Sequence, residues 1–115
     1  TEIDNKDEIY RKRYDKMQRE FLKTLICDEI IEEHKQKPLG QHSEALERVC
    51  YYFRRGAMND KYVVKCEVPF KKYKIMALSG VRGRSPRLVE DKIYDTVEAA
   101  YHGLFLRRIQ DLMEA

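Results

Sequence analysis

The stretch 61–94, KYVVKCEVPFKKYKIMALSGVRGRSPRLVEDKIY, decides the fold, because it alone alternates apolar and polar residues in the manner of a β-sheet. Its cleanest alternation predicts a first strand at 62–70, and a short hairpin connection leads to a second strand at about 73–78. The run 79–86 contains two glycines, two serines and a proline, which predicts a loop. Enough β-forming residues follow at 87–94 for a third, short strand.

The chain before this stretch is predicted to be helical. Apolar residues recur at steps of three and four from Tyr10 to Leu25, and the pattern continues to Ile31. This spacing predicts one long helix over about 5–36 with a single apolar stripe. The segment 36–42 contains a proline and a glycine, which are expected to end that helix.

Two further helices flank the sheet. Ser43 is placed to cap a helix that ends near Arg55, and a turn at 56–60 is expected to lead into the sheet. The last helix is predicted over 96–113, with Asp95 as its cap. Its apolar residues form one stripe, which is predicted to cover the apolar face of the sheet.

The predicted order of two helices, three antiparallel strands and one helix makes the chain an α+β protein (αα-βββ-α), expected to form a single domain over 1–115. From 43 to 114 the order αβββα resembles that of a double-stranded-RNA-binding domain, at the level of topology only. That resemblance implies binding of duplex RNA through a lysine-rich turn at the start of the last helix. The matching turn here, 95–100, contains two acidic residues and no lysine, which favours a protein ligand.

Composition indicates an intracellular protein. The three cysteines, Cys27, Cys50 and Cys66, are odd in number and irregularly spaced, which argues against a disulfide framework and against a structural zinc site. No apolar run approaches the roughly 18 residues needed to cross a bilayer, and no secretory signal pattern is present. Because the sequence begins with Thr1, we expect a fragment of a longer protein. A nuclear location is expected more than a cytoplasmic one.

The net charge of +3 hides an uneven distribution along the chain. Residues 61–94 carry nine Lys or Arg against three Asp or Glu, a net charge of +6. Residues 1–37 carry nine against ten, a net charge of −1. Such concentrated positive charge is typical of a site for a polyanion or an acidic peptide.

These charges support the first functional hypothesis, a non-catalytic domain that binds RNA or DNA. Guanidinium and ammonium groups neutralise phosphates, and they would do so here from the first hairpin and from the loop that follows the second strand. The predicted nucleic-acid-binding residues are Lys71, Lys72, Lys74, Arg82, Arg84 and Arg87.

The alternative hypothesis is a protein-recognition module. An acidic protein segment could bind the basic loop, or a partner helix or a second copy of the chain could pack on the long first helix, which is longer than a small core requires. Ile26, Ile30 and Ile31 are the candidates for its exposed, partner-binding part. If so, aspartate at Ile30 and Ile31 should abolish association and leave the domain folded.

An enzymatic function is not expected. His34, His42 and His102 are far apart in the sequence, and no local spacing combines a nucleophile with a base. Glu32, Glu33 and His34 are adjacent on a helix and point in different directions, so they cannot converge on one ion. No catalytic residue, metal or cofactor is therefore predicted.

Overall fold

The computed structural model describes residues 2–55 and 61–114, so the turn predicted at 56–60 lies outside the described residues. The predicted α+β class is confirmed, with helices before and after a three-stranded antiparallel sheet. Within the described ranges, no helix is both long and apolar enough to span a bilayer. In chain order the elements are α1 (Glu2–Leu25), α2 (Asp28–Gln36), α3 (Glu44–Arg54), β1 (Tyr62–Val68), β2 (Lys72–Ala77), β3 (Arg87–Leu88) and α4 (Val97–Glu114).

The prediction of one helix over 5–36 is wrong, because the chain forms two helices there, α1 and α2. The backbone of Cys27 is extended, with φ −149° and ψ 170°, and this interrupts the helical hydrogen bonding. A new helix starts at Asp28, where negative charge suits the positive end of the helix dipole. Leu22 of α1 and Ile30 of α2 then both lie in one helical core.

The sheet is organised around β2, which pairs with β1 on one side and β3 on the other. Its alternating residues Tyr73, Ile75 and Ala77 are buried, as their period of two predicts. The third strand is shorter than the predicted 87–94. Only its first two residues form a regular strand, and the chain returns to the sheet through a single bridge between Tyr73 and Tyr94.

The last helix, α4, packs on both layers of the fold. Ala100 and Leu104 contact the sheet side, in a cluster with Ile75. Phe105 and Ile109 belong to the helical core, which α4 shares with α1, α2 and α3. The prediction that this helix covers the sheet is confirmed. The helix also packs against α1, α2 and α3.

Two side chains cap helices at their first turns. Ser43 Oγ accepts a hydrogen bond from the Leu46 amide of α3 at 3.4 Å, as the sequence predicts. At α4 the predicted cap is displaced by one residue. Thr96 Oγ1 accepts from the Ala99 amide at 3.1 Å, so the cap is Thr96 and not Asp95.

Gly103 lies in the middle of α4, where its missing side chain makes room for the ring of Tyr94. A Cβ atom at position 103 would stand 2.6 Å from Tyr94 Cζ and 2.8 Å from Cε1. The ring is buried, and its hydroxyl donates a hydrogen bond to Glu90 Oε1 at 2.6 Å. The ring therefore cannot move aside without loss of packing and of that bond.

We predict that Gly103→Ala lowers the free energy of unfolding by about 1–3 kcal/mol, the usual cost of overpacking a tight site. Alanine is favoured over glycine in helices by about 1 kcal/mol, so propensity alone predicts the opposite sign. Urea denaturation monitored by circular dichroism measures the difference. Gln110→Ala, at an exposed position of the same helix, is the control and should change stability by less than about 0.5 kcal/mol. A stabilised Gly103→Ala variant would contradict the close packing.

Candidate functional site

The six basic residues predicted to bind nucleic acid are divided between two connections of the sheet. They lie towards the two ends of β2, because the β1–β2 turn and the β2–β3 loop are at opposite ends of the sheet. The ends of β2, Lys72 and Ala77, are about 17 Å apart for an ideal strand. Lys71, Lys72 and Lys74 are on the side of the turn, and Arg82, Arg84 and Arg87 are on the side of the loop.

The three isoleucines predicted to bind a partner are largely taken up by the core. Ile30 is 6% exposed and belongs to the helical core, so the prediction that it faces solvent is wrong. Ile26 and Ile31 are half-buried and pack against the same cluster. The break between α1 and α2 places this segment over the core.

Other apolar side chains, nearer the start of α1, are exposed. Four of them are spaced by four, three and four residues and so share one stripe of the helix. The side chains are between 48% and 71% exposed. We call this stripe the aromatic face of α1, and it consists of Tyr10, Tyr14, Met17 and Phe21.

The second half of α1 is attached to the rest of the molecule. Leu22 is buried, and the Tyr52 hydroxyl donates to Asp15 Oδ1 at 3.2 Å. Every residue from 6 to 14 is exposed. The radius of gyration is 16.1 Å, whereas a compact chain of this length has about 13 Å, in keeping with a projecting helix.

The structure brings together the three histidines that the sequence places far apart. The ring of His34 stacks on Phe105, with centroids 3.9 Å apart and planes at 12°. Nδ1 of His34 is 2.9 Å from Nδ1 of His102. The ring centroids of His34 and His42 are 5.7 Å apart. No local pattern indicates this cluster, because His34 and His102 are separated by 68 positions.

Burial keeps His34 and His102 uncharged at neutral pH. His34 is 5% exposed, and its burial, with His102 and His42 nearby, lowers its pKa to about 4 against the small opposing effect of Glu33. Burial and the charge of Lys35 also lower the pKa of His102. Both rings are therefore neutral at pH 7, and one donates its Nδ1 proton to the other.

The cluster is suited to joining α2 to α4 and not to proton transfer at neutral pH. A general base works best with a pKa near the working pH, and that of His34 is far lower. A half-open cavity of about 350 Å³ adjoins His34 and Cys50. Burial raises the pKa of the Cys50 thiol, which leaves it protonated. Over the described ranges, no three His, Cys, Asp or Glu side chains are grouped to hold a metal ion.

Hydrogen bonds fix the loop beside this cluster. The carboxylate of Glu33 accepts from the Ser43 amide at 2.7 Å and from the Ser43 hydroxyl at 2.6 Å, which lowers its pKa. Nε2 of His42 is 2.6 Å from the carbonyl oxygen of Lys37. The two bonds of Glu33 join α2 to the start of α3 beside the histidines.

Comparison with known proteins identifies a family along nearly the whole chain. Residues 9–115 match the family described as N,N-dimethylformamidase alpha subunit. The N,N-dimethylformamidase alpha subunit of Paracoccus aminophilus is 35% identical over 104 residues, which cover 86% of this chain and 72% of that protein. The protein of the same name from an Alcaligenes species is also 35% identical over 104 residues, covering 86% of this chain and 77% of its own length.

These relatives overturn the functional hypotheses drawn from charge. The prediction of a non-catalytic domain that binds nucleic acid is wrong, because the relatives are named as alpha subunits of an enzyme, N,N-dimethylformamidase. The prediction of a nucleic acid, an acidic protein segment or a second copy on the first helix as the partner is also wrong, because the relatives are named as subunits of an enzyme. The likeness to RNA-binding domains is one of element order alone. The chain belongs to the family of N,N-dimethylformamidase alpha subunits.

Proposed function

We propose that this chain is one subunit of an enzyme that hydrolyses the amide bond of N,N-dimethylformamide or of a closely related formamide. The observation that carries the proposal is the family match over residues 9–115, together with two relatives that bear the same name. An alpha subunit is by its name one of at least two different polypeptides. The proposal therefore includes a companion subunit of different sequence.

The shape of the chain supports a role within an assembly. The largest apolar patches on soluble proteins are often functional, and many of them are sites of association. The aromatic face of α1 is a patch of this kind, on a helix whose residues 6–14 are all exposed. A chain that works inside a larger enzyme can keep such a surface because the partner covers it.

The proposal is tested by purifying the chain, with an affinity tag, from the organism that encodes it. We expect a second polypeptide to co-purify in fixed stoichiometry, and the eluate to convert N,N-dimethylformamide to dimethylamine and formate. Cells that carry the tag alone provide the background. A chain that purifies without a second polypeptide and without hydrolytic activity would contradict the proposal.

A further inference from the structure

We infer that the aromatic face of α1 is the surface by which this chain binds its companion subunit, in an apolar groove of that subunit. This inference rests on the proposed function and specifies the surface that the assembly uses. The groove is expected to accommodate about three turns of helix. From Tyr10 to Phe21 the face is about 17 Å long, at 1.5 Å per residue.

The size of the face is sufficient for a subunit contact. With 48–71% of each side chain exposed, and about 200 Å² for a large apolar side chain, the four residues present roughly 500 Å². The largest apolar patch on a typical monomer is about 300–600 Å². A standard interface buries about 800 Å² on each partner, so this face would form the centre of one.

Nothing else among the described residues covers this part of α1. Residues 6–14 are exposed on every side of the helix. The ion pair between Glu8 and Lys12, at 3.2 Å, contributes only a few tenths of a kcal/mol in such positions. Isolated helices of about 12–15 residues are marginal in water, and most helical stability comes from packing of an apolar face. A partner on the aromatic face would provide that packing.

The chemistry of the face defines the groove. Spacing by four, three and four residues is that of a seam which inserts between helices or into a groove. Tyr14 and Met17 are at its middle, where contacts usually contribute most to affinity. The two tyrosine hydroxyls need hydrogen-bond partners when their rings are buried. The groove is therefore apolar at its floor, with polar groups at the rim for Tyr10 and Tyr14.

The occupant is the companion subunit and not a second copy of this chain. The family match begins at Ile9, so the whole face lies inside the region shared with proteins named alpha subunits. A parallel pair of α1 helices joined along the face would place Lys6 of one copy near Arg11 of the other. Like charges at such flanking positions disfavour that pairing.

The test compares tagged double variants purified from the native organism. Tyr14→Ala with Met17→Ala removes the middle of the face and keeps a strong helix former at both positions. Lys12→Ala with Lys16→Ala is the matched control on the other side of the same helix, at positions that are also exposed. The amount of co-purified polypeptide is measured for each variant, and circular dichroism of each isolated chain checks its fold.

We expect Tyr14→Ala with Met17→Ala to weaken binding on the order of 100-fold, so that almost no second polypeptide co-purifies with a folded chain. The control should retain both the second polypeptide and the hydrolysis of N,N-dimethylformamide. Equal recovery with the two double variants would overturn this surface and leave the proposed function standing. If the wild-type chain brings down no second polypeptide, both fail. An isolated chain that forms a dimer, which the Tyr14 and Met17 changes dissociate, would replace the companion subunit by a second copy.

Discussion

Ile30→Asp is expected to lower the free energy of unfolding by about 4–6 kcal/mol at 25 °C. Ile30 is 6% exposed and packs in the helical core with residues of α3 and α4, among them Leu46 and Phe105. The substitution removes about 2–3 kcal/mol of apolar burial and places a carboxylate among apolar groups, so the total loss is about 4–6 kcal/mol. This loss equals much of the whole stability of a small domain. Far-ultraviolet circular dichroism and urea denaturation measure it.

Ile9→Asp is the matched control, because it is the same change at an isoleucine of α1 that is exposed. Its effect on the free energy of unfolding should stay within about 0.5 kcal/mol. An Ile30→Asp variant with the stability of the wild-type chain would show that the Ile30 side chain does not lie in the core. That result would restore the expectation, drawn from the sequence, that aspartate at Ile30 and Ile31 leaves the fold intact.

The exposed and buried apolar residues of α1 and α2 show what helical spacing can and cannot predict. Periodicity indicates which residues share a face of a helix, but not which face the rest of the chain covers. Tyr14 and Met17 have the spacing of a buried stripe and are exposed, whereas Ile30 was expected outside and is buried. The difference arises at Cys27, where the helix breaks without a proline, a glycine or a side-chain cap to signal it.

The elements that the sequence predicts well are those determined by local chemistry. The β2 alternation through Ile75 places every second residue under α4, because side chains of a strand alternate between its faces. Ser43 caps α3 because a hydroxyl at that position reaches an amide three residues ahead. The third strand is less well predicted, since β-forming residues from 87 to 94 do not reveal that pairing is interrupted before Tyr94.

Features formed by distant residues could not be predicted in this way. His34 and His102 approach each other only because α2 and α4 pack together, and no spacing within one element reports that. Charge was misleading for a different physical reason. Net charge governs solubility and non-specific attraction, and the positive residues of 61–94 are spread towards two ends of a sheet. The family match, which covers residues 9–115, supports the proposed function instead.

The stability of the chain is expected to fall by roughly 2 kcal/mol between pH 7 and pH 5 because of His34. In the unfolded chain His34 has its ordinary pKa of 6.5. In the folded chain its pKa is lowered to about 4, so the buried ring stays neutral over this range. The unfolded state therefore binds more protons in this range, and the contribution of His34 to stability, complete above pH 6.5, is lost as the pH falls. Urea denaturation at half-unit steps of pH measures the slope.

The variant that isolates this effect is His34→Asn, because an asparagine amide can take the place of Nδ1 beside His102 and does not titrate. It should cost stability at pH 7, since the ring no longer stacks on Phe105, and it should flatten the slope between pH 7 and pH 5. The lowered pKa of Glu33 affects stability only below about 4.5, so that carboxyl does not contribute in this window. An unchanged slope in His34→Asn would show that another group takes up the proton. We assign any pH dependence of stability that remains in His34→Asn to His102, because its lowered pKa also makes stability fall as the pH falls.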